Sequence, residues 1–279
     1  MELSLVVATH ADPLGLYLSV FSALQQLEKS ELTWEMIIAA DGGTSCKYEK
    51  IPKVKCLRLT GDSRTGSPQG TRDAGIRAAK YANVAVIESH VVVSDFKRWL
   101  QIHLALGNPA LSFPARIGET DELFSVYGTE TDWAGDLWIK KHLYQPYSEP
   151  RRTAQFGHAA FIVNREWYLE SGGYSSLQKG WGGEEPYLCL KAWMLGQKCW
   201  VVPEIWFAHY LTPGAHQDFR TSESFLRNIA ILKFVMTGER GNLATLTPDI
   251  LDERRRICEG PFQGDIEKLK TYLKIEGII

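Results

Sequence analysis

A carboxylate and an imidazole, Glu88 and His90, interrupt an apolar run near the middle of the chain, VAVIESHVVV (84–93). Residues two apart in an extended segment point the same way, so both side chains leave the chain on one side. A buried strand does not accept a charge without a partner. One oxygen and one nitrogen ligand make half of a site for a divalent ion of the Mn²⁺ type, with Zn²⁺ as an alternative. A structural Glu–His ion pair is the competing interpretation.

His209 ends a second apolar run, PEIWFAHY (203–210), and is the candidate for a third metal ligand. A lone histidine at the end of an apolar strand more commonly satisfies hydrogen bonds inside a core. The assignment therefore requires the fold to bring His209 to Glu88 and His90. If it does, the sequence predicts a metal site made of these three side chains.

A second stretch whose residues could take part in binding or catalysis is KGWGGEEP (179–186). Gly182 and Gly183 permit a tight turn and the close approach of a ligand. Glu184 and Glu185 follow at a predicted helix N-terminus, where acids stabilise the helix by about 0.3–1 kcal/mol each. Capping is thus the simpler explanation for the acids, but two adjacent glutamates exceed what capping needs. Trp181 beside the two glycines indicates a platform on which a sugar stacks.

Polar residues also end two earlier apolar runs: Thr9 and His10 after the first, and Asp41 after the second. Ligands bind α/β sheets at the carboxyl ends of the strands, so successive polar strand ends predict a site there. Taken singly, Asp41 is as well explained by capping the turn that follows it. Arg72, in GTRDAG, would by itself be a solvated helix arginine.

The elements that must position these residues alternate along the first part of the chain. Apolar runs predict strands at 3–10, 34–43, 54–61 and 84–88, and helical spacing predicts helices near 13–29 and 67–82. This alternation predicts an α/β protein with a parallel, doubly wound sheet.

The second part of the chain is less regular. Residues 108–156 show little periodicity and are interpreted as long loops with short elements. They are followed by a strand within 155–164, a helix that Gly172 and Gly173 end, a helix from Glu184, a strand at 197–210 broken at Pro203, and mostly helix from about 223. We expect one domain over residues 1–212, with residues 213–279 forming a closing loop and a helical extension packed on it.

Composition excludes several classes of protein. The 279 residues are 44% hydrophobic and 23% charged with a net charge of -2, which argues against a non-specific nucleic-acid binder. The five cysteines are odd in number and form no CxxC pair, so reduced, mostly buried thiols are expected rather than a zinc site or a disulfide framework. The chain contains no GxxxxGK[ST], GxGxxG, HExxH or GxSxG motif.

Taken in order, these motifs resemble those of GT-A-fold glycosyltransferases that use nucleotide sugars. The chain looks most like the polypeptide N-acetylgalactosaminyltransferases and related family 2 enzymes, over roughly residues 3–212. The resemblance implies a GT-A (Rossmann-like) α/β fold: a mixed, mainly parallel sheet flanked by helices, with a helical C-terminal extension. It also implies Mn²⁺ (or Mg²⁺) as cofactor and a UDP-sugar as donor.

The resemblance also assigns roles. Metal ligands would be Glu88, His90 and His209, where the family has Asp-Ser-His and a later histidine. The donor would contact residues of the matching motifs: Thr9, His10, Asp41 (on uracil or ribose), Arg72, Trp181, Gly182 and Gly183. Glu184 and Glu185 would be the catalytic carboxylates.

The chain departs from the family pattern at three places. Glu88 replaces an aspartate, so its carboxylate reaches one methylene farther. Thr212 stands where the polypeptide-modifying enzymes have an arginine, and His216 or Arg220 would take over a diphosphate contact. Glu185 stands where the retaining enzymes have asparagine and inverting relatives have a general base, which favours inversion.

The implied reaction moves a sugar from a UDP-sugar to an acceptor hydroxyl on a glycan, a protein or a hydroxymethylated DNA base. A nucleotidyltransferase-like enzyme and an inactive nucleotide-sugar-binding module are the alternatives. The N-terminus lacks a basic n-region, and no apolar run approaches the roughly 18 residues of a membrane span, so a cytoplasmic protein without a membrane anchor is expected.

Overall fold

The strands of the protein determine where the polar residues discussed above lie. The computed structural model describes residues 1–10, 12–42, 46–60, 66–117, 128–133, 137, 139–143, 148–174, 178, 180, 182–210, 223–241, 243 and 245–279. The strands are β1 (Glu2–His10), β2 (Thr33–Asp41), β3 (Val54–Leu59), β4 (Asn83–Glu88), β5 (Val91–Val93), β6 (Leu111–Ile117), β7 (Gly128–Thr131), β8 (Ile139–Leu143), β9 (Arg151–Arg152), β10 (Ala160–Asn164) and β11 (Cys199–His209). The helices are α1 (Pro13–Lys29), α2 (Pro68–Ala78), α3 (Phe96–Ala105), α4 (Arg165–Glu170), α5 (Glu184–Met194), α6 (Glu223–Thr237), α7 (Pro248–Cys258) and α8 (Ile266–Ile275).

One large sheet forms the centre of the molecule, in the order β3-β2-β1-β4-β10-β6-β11-β5, with β9 paired to β11. Strands β1 to β4 are mutually parallel, as is the β6–β11 pair, whereas β10 and β5 run antiparallel to their neighbours. Strands β7 and β8 form a separate antiparallel pair. The predicted mixed, mainly parallel α/β sheet flanked by helices is confirmed.

The register of the parallel strands brings their polar ends to one edge of the sheet. His10 lies opposite Asp41 in the β1–β2 pair, and Ala8 lies opposite Glu88 in the β1–β4 pair. The interiors of β1 and β4 are apolar on both faces apart from Ser4 of β1, as parallel strands covered by helices must be. These two strands therefore carry charge only where they leave the core.

Helix α1 begins at a cap and covers a strand edge. The Asp12 carboxylate accepts the Gly15 N–H at 3.0 Å, and Pro13 starts the first turn. The free edge of β5 is covered by α1 side chains: the Ser19 hydroxyl donates to the Val91 carbonyl at 2.7 Å, and the Gln26 amide donates to the Val93 carbonyl at 2.6 Å. None of the helices in the described ranges has both the length and the apolar content that a membrane crossing requires.

The region 108–156 differs in part from its prediction as loops. Strand β6 lies inside the sheet between β10 and β11, where its polar Ser112 is fully buried. The indole N–H of Trp99 donates to the Ser112 hydroxyl at 3.1 Å, and the His103 ring contacts the same oxygen at 2.8 Å. Polar residues and a proline interrupt the apolar run here, so the sequence pattern did not predict this strand. The polar group of Ser112 is nevertheless hydrogen-bonded by two side chains of α3.

The break predicted in the last strand is present. The β6–β11 pairing shifts register between Val202 and Trp206, around Pro203, which has no N–H to donate to the ladder. The shift is a β-bulge, and bulges of this kind re-aim the side chains that follow. His209 is the last residue beyond it.

The cysteine prediction is wrong for one pair. Cys46 and Cys56 form a disulfide, with Cα atoms 6.2 Å apart. The connection from β2 returns beside β3, its parallel neighbour, and this return brings the two residues together although they are ten positions apart. Cys189 and Cys199 are buried free thiols, as expected, and Cys258 is an exposed one.

A buried ion pair fastens helix α5 to helix α7. The Lys191 ammonium is fully buried and contacts Glu253 Oε1 at 2.5 Å and the Gly173 carbonyl at 2.9 Å. Glu253 also accepts hydrogen bonds from Tyr187 and Arg256. The C-terminal helices thus hold the helix that carries Glu184 and Glu185.

We expect the Glu253→Ala substitution to destabilise the fold by about 3–5 kcal/mol, because it leaves the buried Lys191 ammonium uncompensated. Denaturant unfolding of the wild type and the variant measures the difference. A double variant, Lys191→Met with Glu253→Leu, removes both charges and should recover most of the loss. Equal destabilisation in the single and double variants would show that packing, not the stranded charge, is responsible.

Candidate active site

Three strand ends bring Glu88, His90 and His209 together. Glu88 ends β4, and the turn that follows carries His90 into β5. In the antiparallel β5–β11 pair, His209 lies opposite Val91, and the Tyr210 N–H donates to the His90 carbonyl at 2.9 Å. The sheet therefore brings His209 to Glu88 and His90, as the assignment of three metal ligands required.

The three side chains meet at close range. His90 Nε2 is 3.2 Å and His209 Nε2 is 2.9 Å from Glu88 Oε2, and the two nitrogens are 3.1 Å apart. Among the described residues this is the group of histidine, cysteine and acidic side chains that could hold a metal ion. Three mutually cis ligands of an octahedral ion with bonds of about 2.0–2.3 Å would be separated by about 2.8–3.3 Å. The observed spacings match that arrangement.

A fourth residue, Asp12, orients the His90 ring. Asp12 Oδ2 lies 3.0 Å from His90 Nδ1 and also accepts the Ser89 hydroxyl at 3.1 Å. A carboxylate only accepts hydrogen bonds, so the contact places a proton on Nδ1 and directs Nε2 toward Glu88. Metal-binding histidines commonly have such a carboxylate behind them. Residues of this chain thus fit a divalent first-row ion such as Mn²⁺.

The electrostatics of this group favour positive charge at its centre. Burial opposes ionisation of Glu88, but Arg72 and the hydrogen bonds from His209 and His90 hold its pKa well below the usual range. Burial likewise opposes protonation of His90, but Glu88 and Asp12 raise its pKa. An ionised carboxylate oxygen beside two imidazole nitrogens forms a set of donors that can hold a divalent cation.

Arg72 joins this group to the second acidic motif. Its guanidinium is almost fully buried, pairs with Glu88, and lies 3.7 Å from Glu184 Oε1. Burial works against its charge, but Glu88 and the acids of α5 raise its pKa, so it stays protonated. The solvated helix arginine that the sequence allowed is therefore wrong, and one buried cation links both motifs.

The glycines before α5 let its acidic end approach the core closely. Gly182 and Gly183 have φ angles of +97° and +85°, which residues with a Cβ rarely adopt. A Cβ on Gly182 would lie 2.2 Å from the Phe225 ring of α6. Asn228 of α6 donates to the Gly182 carbonyl at 2.9 Å. The turn is held by the C-terminal helices.

Glu184 and Glu185 are more than helix caps, since at the start of α5 Glu184 is buried and Glu185 is half-buried. Burial raises the pKa of Glu184, partly offset by Arg72. Burial, and then the Glu184 carboxylate, raise the pKa of Glu185 to about 7. Glu185 Oε1 accepts the His158 N–H at 3.0 Å. A carboxyl group with a pKa near neutrality can take up or release a proton at physiological pH.

Several buried polar atoms of the site have no hydrogen-bond partner among the described residues. They are Thr9 Oγ1, Glu184 Oε2 and both amide atoms of Gln178. Gln178 Nε2 would lie 3.0 Å from a Cβ on Gly183. Buried polar groups are normally paired, so these atoms are available to a polar ligand.

The remaining donor-binding candidates lie at the same sheet edge. Asp41 is fully buried and accepts the N–H groups of Gly42 at 2.9 Å and Gly66 at 2.8 Å, which is the turn-capping role that the sequence allowed. The exposed His10 ring lies over Gly42, where a Cβ would be 2.6 Å from its Cε1. Trp181, and the loop 211–221 with Thr212, His216 and Arg220, lie outside the described residues.

Sequence reasoning missed Asp12 and His158. Asp12 precedes a proline at a helix start, which signals a cap but not a contact with a histidine 78 positions away. The His158 ring is fully buried between Tyr174 and Cys189, at 2.7 and 3.4 Å, and only its backbone N–H reaches Glu185. A sequence pattern cannot reveal a hydrogen bond made by a backbone N–H group, so the contact of His158 with Glu185 could not be predicted.

Sequence comparison finds relatives that are glycosyltransferases. The chain is 26% identical to polypeptide N-acetylgalactosaminyltransferase 8 of Drosophila melanogaster over 235 residues, 77% of this chain and 39% of that protein. It is 22% identical to polypeptide N-acetylgalactosaminyltransferase 16 of Mus musculus over 222 residues, 72% of this chain and 38% of that protein. The chain thus spans about two fifths of the length of these relatives. No family model matches it.

Structure comparison agrees. GalNAc-T7, solved with UDP, GalNAc and Mn²⁺, superposes with a TM-score of 0.68 at 18% identity, over 99% of this chain and 54% of that one. Residues 1–349 of Staphylococcus aureus TarS, solved with UDP-GlcNAc, give a TM-score of 0.54 at 13% identity, over 98% of this chain and 78% of that one. The GT-A fold and the resemblance to nucleotide-sugar glycosyltransferases of this fold are confirmed.

Proposed function

We propose that the chain is a metal-dependent glycosyltransferase that moves a sugar from a UDP-sugar to an acceptor hydroxyl. The observation that carries the proposal is Arg72, a buried cation that contacts Glu88 of the metal-ligand group and faces Glu184 of the second acidic motif. A metal site, a fixed positive charge and two acidic side chains in one place are suited to transfer from a nucleoside diphosphate. The names of the relatives support the same reaction class.

Glu88, His90 and His209 would hold Mn²⁺ (or Mg²⁺). When bound, the ion supplies positive charge to the diphosphate leaving group. Arg72 keeps a second positive charge beside it, and the buried surroundings strengthen both. Asp12 keeps the His90 ring in its ligating orientation.

The donor would lie along the sheet edge. Asp41 uses its two oxygens for backbone N–H groups, yet a carboxylate has about four acceptor positions, so it can also read uracil or ribose. Thr9 and His10 would complete the nucleotide contacts at the same edge. The tight turn at Gly182 and Gly183 would bring the chain close to the sugar, and Trp181 would stack on it.

The two acids would act on the acceptor side. Glu185 would remove the proton from the acceptor hydroxyl as general base, and this role favours inversion of the anomeric centre. Glu184, whose Oε2 has no partner among the described residues, would bind a donor or acceptor hydroxyl. The acceptor would be a glycan, a protein or a hydroxymethylated DNA base. Residues 1–212 would form the catalytic domain and 213–279 a closing loop with a helical extension.

The test is metal-dependent release of UDP from a panel of UDP-sugars, with and without soluble acceptors, read by mass spectrometry. We expect turnover with Mn²⁺ and its loss after chelation, restored by added metal. Absence of UDP release from every UDP-sugar, with or without metal, would contradict the proposal. Tight UDP-sugar binding without release would identify an inactive binding module, and transfer of a nucleotidyl group would identify a nucleotidyltransferase.

A further inference from the structure

The side chain of His158 is fully buried, and the reaction described above gives it no role. His158 lies just before β10, where its backbone N–H donates to Glu185 Oε1 at 3.0 Å. Within the described part of the chain, no other hydrogen bond to this carboxylate is found. The orientation of the Glu185 carboxylate therefore depends on where the His158 peptide lies, and Oε2 is left for an acceptor hydroxyl.

The His158 ring is held by two hydrogen-bonding side chains and an aromatic neighbour. Nδ1 lies 2.7 Å from the Tyr174 hydroxyl, and Nε2 lies 3.4 Å from Cys189 Sγ. The ring stacks on Phe113 with centroids 5.5 Å apart and planes inclined by 10°. Burial, and then the Arg72 charge, hold the pKa of His158 well below its usual range, so the ring is neutral. A neutral imidazole has one donor and one acceptor nitrogen, and these contacts use both.

One of the two ring contacts reaches the helix that carries Glu185. Cys189 lies four positions after Glu185 on α5, and residues four apart lie on the same face of a helix. His158 thus contacts two successive turns of this face, the first through its backbone N–H and the second through its ring. The start of α5 is held against the chain that precedes β10.

The other ring contact leads to the helix that carries Arg72. The Tyr174 N–H donates to the Tyr168 hydroxyl of α4 at 3.0 Å, and that hydroxyl donates to Asp73 Oδ1 at 2.7 Å. Asp73 directly follows Arg72 on α2. A chain of buried or half-buried hydrogen bonds therefore runs from α5 through the His158 ring to α2.

We propose that His158 is a positioning residue for sugar transfer: its anchored ring fixes the peptide whose N–H orients the Glu185 carboxylate. The inference rests on the proposed role of Glu185 as general base. A base must lie within hydrogen-bond reach of the proton that it removes, and a displacement of about 1 Å can cost about a hundredfold in rate. A histidine that only fills the core would affect stability and leave the carboxylate unchanged.

The first test measures the pKa of the Glu185 carboxyl group by ¹³C NMR of protein with labelled glutamate side chains, and it needs no substrate. His158→Phe keeps an aromatic ring beside Phe113 but removes both ring nitrogens. We expect the pKa of Glu185 to rise above its wild-type value of about 7, because a displaced N–H no longer stabilises the carboxylate. The other charged groups that act on Glu185 are unchanged in this variant: Glu184 of α5, Arg72 of α2 and Glu88 of β4.

The second test is a double-variant cycle that asks whether His158 acts through Glu185. His158→Phe alone should lower kcat for sugar transfer about ten- to a hundredfold, with UDP-sugar affinity nearly unchanged and the acidic limb of kcat moved to higher pH. In the Glu185→Gln background the same substitution should lower kcat no further, because the base that it positions is already gone. His158→Asn, whose amide can occupy the position of Nδ1 beside the Tyr174 hydroxyl, should recover most of the loss.

The matched control is His103→Phe, since His103 is also fully buried and has both ring nitrogens in hydrogen-bonding contacts. It should lower thermal stability without changing the pKa of Glu185 or kcat. If thermal melting shows that His158→Phe does not fold, Tyr174→Phe removes one anchor of the ring and should change both quantities in the same directions.

Two outcomes would overturn the inference. One is a wild-type Glu185 pKa and a wild-type kcat in the folded variants, and the other is a loss of kcat that multiplies fully with that of Glu185→Gln. Failure of the proposed function looks different: Glu185→Gln would then transfer sugar at the wild-type rate. The NMR titration would still show whether His158 holds the carboxylate.

Discussion

His209→Ala is expected to reduce metal-dependent UDP release more than about a hundredfold and to weaken Mn²⁺ binding at least as strongly. His209 Nε2 lies within 3.1 Å of both other candidate ligand atoms, so its loss removes one of three donors. Isothermal titration with Mn²⁺ and steady-state UDP release measure the two effects. Excess Mn²⁺ should restore part of the activity, because Glu88 and His90 remain.

The control is a more deeply buried histidine outside the site. His103 contacts the Ser112 hydroxyl at 2.8 Å and Asn108 Oδ1 at 2.9 Å through its two ring nitrogens. His103→Gln should lower thermal stability but leave Mn²⁺ affinity unchanged. Wild-type Mn²⁺ affinity in His209→Ala would refute the ligand assignment, and an equal loss of affinity in His103→Gln would trace the effect to the fold.

The elements that sequence predicted best are those with one strong local pattern. The β1–α1–β2 unit follows from apolar runs, a helical spacing and a proline at the first helical position, and its bounds agree closely with prediction. Strand β6 was missed because its buried Ser112 is satisfied by Trp99 and His103 from another element. A long-range hydrogen bond makes a polar residue compatible with the core, and no local pattern reveals it.

In the candidate site, too, some residues could be predicted from local sequence patterns and others could not. Glu88 and His90 stand out in sequence because they interrupt an apolar run, and the sheet places them as that pattern suggests. Arg72 does not stand out, since a charged residue on a helix is ordinarily solvated. Its burial follows from the packing of α2 on β1, where Gly75 lies so close that a Cβ would be 2.3 Å from Val6 Cγ1. That approach is a tertiary property, which the family resemblance supplied and residue patterns did not.

The adjacent glutamates Glu184 and Glu185 are visible in the sequence, but their separate roles depend on their surroundings in the fold. Two acids after Gly182 and Gly183 are compatible with capping alone. Glu184 is buried beside Arg72, whereas Glu185 is half-buried and accepts the His158 N–H, so the two carboxylates lie in different environments. Carboxyl groups in different environments can take different roles, and this difference underlies the last prediction.

Glu185→Gln is expected to lower kcat for sugar transfer by about 10²–10⁴-fold while leaving UDP-sugar affinity nearly unchanged. The amide keeps an oxygen that can accept the His158 N–H, so the start of α5 should stay in place, and the variant loses only its capacity to take up a proton. Transfer rates under saturating donor, and donor affinity by titration, measure the two quantities. Glu184→Gln is the matched comparison, and we expect it to raise KM more than it lowers kcat.

The pH dependence gives a readout that a structural role would not produce. Because burial and Glu184 raise the pKa of Glu185 to about 7, the base is protonated below that pH, and wild-type kcat should fall as pH decreases through about 7. This acidic limb should be absent from the residual activity of Glu185→Gln. If Glu185 is the base, product NMR should show an inverted anomeric centre. A retained configuration, together with wild-type kcat in the glutamine variant, would remove Glu185 from the chemistry and leave it as a residue that only caps α5.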